Sequence, residues 1–250
     1  MKPAAILLDY GGVIADVQRD DGGYLLIAAE VERRLAEHGL ANALSRDEIE
    51  ADVRAGVAAY EAWKRAQSRR MRPREMRHRE FWELVAADWP AAARRAVMIH
   101  AVELCACVDS TILHRPAKTD AAEVLQALRA RGIRLALVCN ALSAEAARRQ
   151  MRRDGLTGLL DAEWFSDEVG IRKPNPEFLL LAAASVGVAP EACWLVGDTY
   201  DRDILGARRA GLGKAILMGS PKGSELHPRA VVEDVRVNSL RELLLLVDRE

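Results

Sequence analysis

Four stretches of the chain are nearly continuous apolar runs, at residues 4–8, 133–138, 193–196 and 215–218, and 162–165 is a weaker fifth. Runs this short, without polar alternation, predict strands covered on both faces, as in a parallel sheet sandwiched by helices. The segments between them carry helix punctuation. Asp120 followed by Glu123 predicts a capping box, with Gly132 closing that helix. Asn175 before Pro176 is a cap with proline in the first turn, and Gly187 ends the helix they open. Another helix spans about 201–210 and stops at Gly211. Strands alternating with helices across 119–218 predict βαβ units and a doubly wound α/β core.

Residues 19–113 break this rhythm. They hold no convincing strand run but repeat amphipathic helical patterns, as at 25–38 and 80–87. The interval is too long for a simple crossover and is expected to be a small all-helical domain. Following the first strand directly, it belongs above the carboxyl ends of the strands, where open α/β sheets bind ligands. The expected division is a Rossmann-like core, 1–17 and 115–250, and a helical cap, 18–114.

With 250 residues, half of them hydrophobic, the chain can bury the core this plan requires. A net charge of −1 gives no global field for nucleic acid or an anionic membrane. The excess of 30 Arg over six Lys reads as genomic base composition rather than a binding surface. The longest apolar stretch, 178–189, is interrupted by Ser185 and Gly187 and is too short to span a bilayer. The N-terminal run is stopped by Asp9 and lacks the form of a signal peptide. Cys105, Cys107, Cys139 and Cys193 lack zinc-site spacing and read as thiols of a reducing compartment. A cytoplasmic protein with neither nucleic-acid nor membrane partners is expected.

Candidate chemistry gathers at the strand ends. Asp9 closes the first strand and is followed by Tyr10-Gly11-Gly12-Val13, so a carboxylate sits where glycines let the backbone approach a ligand. Alone, such a run is as easily a turn. The strand at 193–196 is followed by Gly197-Asp198-Thr199-Tyr200-Asp201-Arg202-Asp203. Three Asp within six residues repel one another unless a cation relieves them, which makes Mg2+ the natural occupant. Acidic residues also favour first helical turns, and Asp201 is assigned to that role. Between the acidic segments lies Gly170-Ile171-Arg172-Lys173-Pro174-Asn175-Pro176, where prolines stiffen the chain just after Lys173.

In this order, DYGGV, CN, RKPNP and GDTYDRD resemble the four motifs of the haloacid dehalogenase superfamily of hydrolases. The resemblance covers about residues 1–17 and 115–220, and the helical insertion resembles that family's cap. It implies a phosphatase in which Asp9 attacks phosphorus and forms an aspartyl-phosphate that water hydrolyses. It implies Mg2+ held by Asp9, the Gly11 carbonyl and Asp198, with Asp203 orienting the same centre from behind. Lys173 would offset the charge between nucleophile and phosphoryl group. Cys139 and Asn140 would supply donors to a phosphoryl oxygen of a small phosphorylated substrate.

Two residues depart from the pattern. Gly11 stands where family phosphatases carry a second Asp as general acid, a donor worth about 10²–10⁴ in rate. Cys139 replaces a Ser or Thr, and a thiol is the weaker donor. Asp16 is read as a turn residue or a contact to substrate or cap. The Arg-rich run 69–79 is read as a solvated helix face or a site for a second anionic group. Three alternatives stay open. Phosphonate cleavage in this family needs a cap lysine that forms an imine, and Lys64 is the one cap lysine. Carbon–halogen cleavage is disfavoured because Asp198 and Asp203 are both present. A binding or regulatory module could have kept the fold and lost the chemistry, although it would not require Asp9, Lys173, Asp198 and Asp203.

Overall fold

The computed structural model describes residues 2–220 and 231–250, so part of the expected core range 115–250, residues 221–230, lies outside the described ones. In chain order, β1 (Ala5–Leu8) leads to β2 (Gln18–Arg19) and a helical block. That block comprises α1 (Gly23–Glu37), α2 (Arg46–Ser68), α3 (His78–Val85), α4 (Ala91–Ile99) and α5 (Ala101–Ile112), and ends at β3 (Leu113–His114). Then follow α6 (Ala121–Ala130), β4 (Arg134–Cys139), α7 (Ala144–Arg153), β5 (Ala162–Phe165), α8 (Ser166–Val169) and α9 (Pro176–Ser185). The chain continues through β6 (Cys193–Gly197), α10 (Leu205–Ala210), β7 (Lys214–Met218), β8 (Val235–Val237) and α11 (Leu240–Asp248). A π-helical turn, Tyr200–Ile204, precedes α10.

Six strands form one parallel sheet in the order β5-β4-β1-β6-β7-β8. The apolar runs are continuous because each strand feeds two cores. Ile6, Leu8, Leu135, Leu137, Trp194 and Val196 pack into the apolar cluster with α6, α7 and α11. Ala5, Leu7, Ala136, Val138 and Leu195 point the other way, into the cluster with α9 and α10. The expected α/β class is the observed one.

Local details differ from expectation in three places. Asp120 makes no side-chain cap on α6; it lies 3.7 Å from Arg241 Nε, and Glu123 binds Arg241 at 2.7 Å. Both acids are drawn to α11 instead of closing a box. A capping box does form at α2, where Ser45 and Glu48 satisfy each other's backbone amides. The run 69–79 is a helix only from His78 onward. Its central part is a strap laid on the core: Glu75 N donates to Gly170 O at 2.9 Å, Asn175 Nδ2 to Pro73 O at 3.3 Å and Arg209 to Arg70 O at 2.6 Å.

The helical block has its own apolar core, including Ile27, Val53, Phe81, Trp82 and Leu104, and it receives Leu142 from the α/β side. Its two connections run side by side as the antiparallel ribbon β2–β3. Asp16 is exposed beside this joint, its amide donating to Pro116 O at 3.0 Å. None of the described helices is long and apolar enough to cross a membrane.

Candidate active site

β1, β4 and β6 are neighbours at the centre of the sheet, and the chain leaves β1 toward β4 on one side and reaches β6 on the other. The crevice at such a reversal is the natural ligand site of an open α/β sheet. Asp9, Asn140 and Asp198 are the residues that directly follow these three strands. Asp9 is fixed through its amide, which donates to Val196 O at 2.9 Å.

The side chains converge. Lys173 Nζ lies 2.8 Å from Asp9 Oδ1 and 2.7 Å from Asp203 Oδ1, and all three groups are almost wholly buried. The other Asp203 oxygen accepts from Thr199 N at 3.0 Å and Thr199 Oγ1 at 2.6 Å. Both Asp203 oxygens are thus engaged. Carboxylate oxygens of Asp9, Asp198 and Asp203 lie within 4.8 Å of one another. Close approach is possible because two glycines have no side chain: a Cβ at Gly12 would stand 2.3 Å from Asp198 Oδ2, and one at Gly197 2.2 Å from Asp203 Cβ.

Electrostatics divide the acids. Burial, against the pull of Lys173 and with the push of Asp203 and Asp198, raises the Asp9 carboxyl to about 6. Burial acts on Asp203 in the same sense, but Lys173 and Arg202 outweigh it and hold Asp203 below the ordinary carboxylate range. Burial opposes the Lys173 charge, and Asp203 and Asp9 overcome it and raise the lysine above its usual value. Three carboxylates whose oxygens lie this close form an all-oxygen donor set that fits a hard divalent cation.

The remaining expected site residues take different places. Asn140 uses its side chain to clamp Lys173, accepting from Lys173 N at 2.8 Å and donating to Lys173 O at 3.1 Å. Cys139 ends β4 with its thiol buried, and burial with the Asp9 charge pushes it up to about 12. Gly11 sits in the loop after Asp9, bridged to Ala15. Asp201, assigned to an exposed helix start, is 5% exposed, its carboxylate held by Ser68 of the cap.

Two residues, the buried Glu75 and the half-buried Lys118, escaped the sequence reading. Glu75, on the strap, accepts from Arg172 at 2.8 Å, Ser166 Oγ at 2.6 Å and Met76 N at 2.8 Å, tying the cap to the residue before Lys173. Its signal was slight, a single acid in a basic run. Lys118 Nζ donates to Gly12 O at 3.0 Å and so steadies the loop that follows Asp9.

A parallel α/β sheet with an acid-and-lysine centre at its strand ends and a helical cap inserted after the first strand defines a capped α/β protein built around a buried carboxylate. The family model of haloacid dehalogenase-like hydrolases matches residues 3–211, and the chain belongs to that family. It is 34% identical over 130 residues to a glyceraldehyde 3-phosphate phosphatase of Methanopyrus kandleri, covering 51% of this chain and 55% of that one. It is 35% identical over 133 residues to a phosphoserine phosphatase of Thermus thermophilus, covering 52% and 51%. The chain therefore spans about half the length of these curated relatives. Among solved structures, it resembles a haloacid dehalogenase-type phosphatase from Thermococcus onnurineus, with TM-score 0.59 and 20% identity over 99% of this chain and 98% of that one. A 2-haloacid dehalogenase from Pseudomonas syringae gives TM-score 0.62 and 19% identity over 99% of both chains. At such identities the structural likeness speaks for the fold alone.

Proposed function

We propose that the protein is a magnesium-dependent phosphatase of a small phosphorylated metabolite, with Asp9 as nucleophile. The observation that carries this reading is the convergence of the Asp9, Asp198 and Asp203 carboxylates, two of which, Asp9 and Asp203, pair with the Lys173 ammonium. The phosphatase names of the relatives support it. Asp9, Asp198 and the Gly11 carbonyl would hold the cation, with Asp203 behind them. Bound magnesium would neutralise the crowded carboxylates and polarise a phosphoryl oxygen.

An Asp9 oxygen attacks phosphorus, the ester P–O bond breaks, and the alcohol oxygen departs. Water then cleaves the aspartyl-phosphate, restoring the carboxylate and releasing phosphate. Lys173 stabilises negative charge between nucleophile and phosphoryl oxygens. Its own position is set by Asp203 and by the Asn140 clamp on its backbone. With glycine at position 11, the departing oxygen receives no proton from a carboxyl there. Asp9→Asn is expected to cut phosphate release by ~10³-fold or more while the protein stays folded. Near wild-type turnover by that variant would remove Asp9 from this role.

One observation favours a second reading, phosphonate cleavage: Lys64 lines the cap–core cavity, and burial lowers its pKa despite the pull of Glu61. Borohydride trapping of Lys64 with a carbonyl-bearing phosphonate is the expected signature of that chemistry. A wild type left unlabelled under turnover conditions would leave the phosphatase alone.

A further inference from the structure

Two adjoining cavities lie where cap and core meet, and both are more cationic than anionic. The inner one, about 50 Å³, is lined by Lys64, Arg115, Arg172 and Arg202 against Glu61 and Asp109. The outer one, about 220 Å³, has Lys64, Arg65 and Arg202 against Glu61 and Asp201. Asn140, which follows β4 and clamps Lys173, lines the inner cavity, so this space adjoins the reactive centre.

Most of these cations are already committed. Arg115 makes a two-pronged pair with Asp109, both contacts at 2.9 Å. Arg172 pairs with Glu75 at 2.8 Å, and Lys64 with Glu61 at 2.7 Å. Arg202 is different. Its Nε donates to Thr199 Oγ1 at 3.2 Å, and Asp201, held by Ser68, comes no closer than 3.9 Å. That separation is far outside a charge-assisted hydrogen bond of 2.7–2.9 Å. Among the described residues, the two terminal nitrogens of Arg202 form no hydrogen bond. Its side chain is 34% exposed, so the fork is partly desolvated while its terminal nitrogens stay free to donate.

The backbone explains the placement. Arg202 and Asp203 are consecutive in the π-helical turn, a local widening found often at functional sites. Asp203 faces inward to Lys173, whereas Arg202 lines the space shared with α2 of the cap. The turn thus contributes Asp203 to the Lys173 centre and Arg202 to the cavity beside it, near enough that the Arg202 charge still acts on Asp203. A guanidinium fork matches a planar carboxylate in geometry and charge. The inner cavity's volume suits a group that compact.

We infer that Arg202 receives a carboxylate on the leaving-group side of the substrate, so that the preferred substrates are phosphorylated hydroxy acids. This rests on the phosphatase reading and adds to it the class of the departing alcohol. The binding step breaks no covalent bond; the carboxylate leaves with the alcohol after the P–O bond breaks.

The test compares phosphate monoesters of 3-hydroxypropanoate and propan-1-ol, equal in chain length, with phenyl phosphate reporting the chemistry alone. Wild type is expected to favour the carboxylate ester by tenfold or more in kcat/KM. Arg202→Gln should lower that preference by about ten- to a hundredfold, chiefly through KM, since hydrogen bonds to charged groups contribute about 1.5–3 kcal/mol. Arg202→Lys should restore part of it. If wild type cleaves phenyl phosphate but does not discriminate the two alkyl esters, the subsite falls while the phosphatase stands. Equal losses on all three esters in folded Arg202→Gln would place Arg202 in the chemistry and overturn the specificity role. No turnover of any ester by wild type would remove both.

Discussion

At Gly12 the backbone has φ +84°, and a Cβ would collide with Asp198 Oδ2 at 2.3 Å. The position is closed to side chains twice over, by conformation and by the carboxylate it must admit. Gly12→Ala is therefore expected to cost about 1–2 kcal/mol in stability and to displace Asp198, with loss of activity greater than the loss of fold. Gly11 differs although it stands next to it. Its φ is not positive, and an added Cβ meets only Val17 Cγ2 at 2.9 Å. Val17 is 52% exposed and can turn away. Gly11→Asp should fold with a melting point close to wild type, which makes it a usable test of the missing general acid. Across phosphate esters of rising leaving-group pKa, the wild-type rate should fall steeply and the variant's less so. A flat wild-type series with chemistry rate-limiting would mean that another group already delivers the proton. Cys139 should prove less consequential. Burial and Asp9 keep its thiol protonated at neutral pH, so Cys139→Ser is expected to match or exceed wild-type activity. A large loss in a folded variant would give the sulfur a specific function.

Elements differ in how far they could be read beforehand, for physical reasons. β1, β4, β6 and β7 were legible because burial on both faces demands unbroken apolar runs. β8 was not: only three residues long, at the sheet edge, it places Val237 inward and leaves Arg236 exposed. The strap before α3 was misread because five Arg between 69 and 77 look like a wetted helix, whereas its form is set by distant partners on the motif around Lys173. Glu75 is decisive there, 3% exposed and opposite Arg172. Glu75→Ala would leave that guanidinium buried and unpaired, at a cost of about 3–5 kcal/mol seen in chemical denaturation; a loss below ~1 kcal/mol would contradict the buried pair. His78 fastens the same edge of the cap, 3.0 Å from Leu142 O and 3.4 Å from Asp167. Its hydrogen bond to Asp167, against the burial that opposes charge, raises its pKa from 6.5. A raised folded-state pKa gives stability that is complete below the unfolded value and vanishes as pH rises through the folded one. The melting-point advantage of wild type over His78→Gln should accordingly shrink as pH climbs from below 6.5 toward alkaline values. An advantage that grows with pH would reverse the assignment.

For the whole molecule, the reactive centre is a point of deliberate crowding within two well-packed apolar layers. Its residues were legible as an ordered set at strand ends, but their mutual distances were not, because Lys173 reaches Asp9 and Asp203 across long sequence separations. Three carboxylates within 4.8 Å, against the Lys173 ammonium and the nearby Arg202 guanidinium, still leave an excess of negative charge that the folded chain must hold together. Removing one carboxylate should relieve that repulsion in the absence of divalent cation. Asp198→Asn is therefore expected to melt higher than wild type in chelator. Magnesium should reverse the order. A ligand that binds only the folded state at a hundredfold excess over its Kd stabilises by about 2.7 kcal/mol. For a chain of this size that corresponds to a rise of roughly 5–10 °C. Wild type should gain it and Asp198→Asn should lose most of it, with calcium as a control for the size of the cation. The measurement is the melting midpoint of both proteins in chelator and across a magnesium titration, independent of any substrate. A wild-type midpoint indifferent to magnesium would remove the cation from the centre. A variant that melts lower in chelator would show that Asp198 is held by stabilising partners stronger than the repulsion of Asp9 and Asp203.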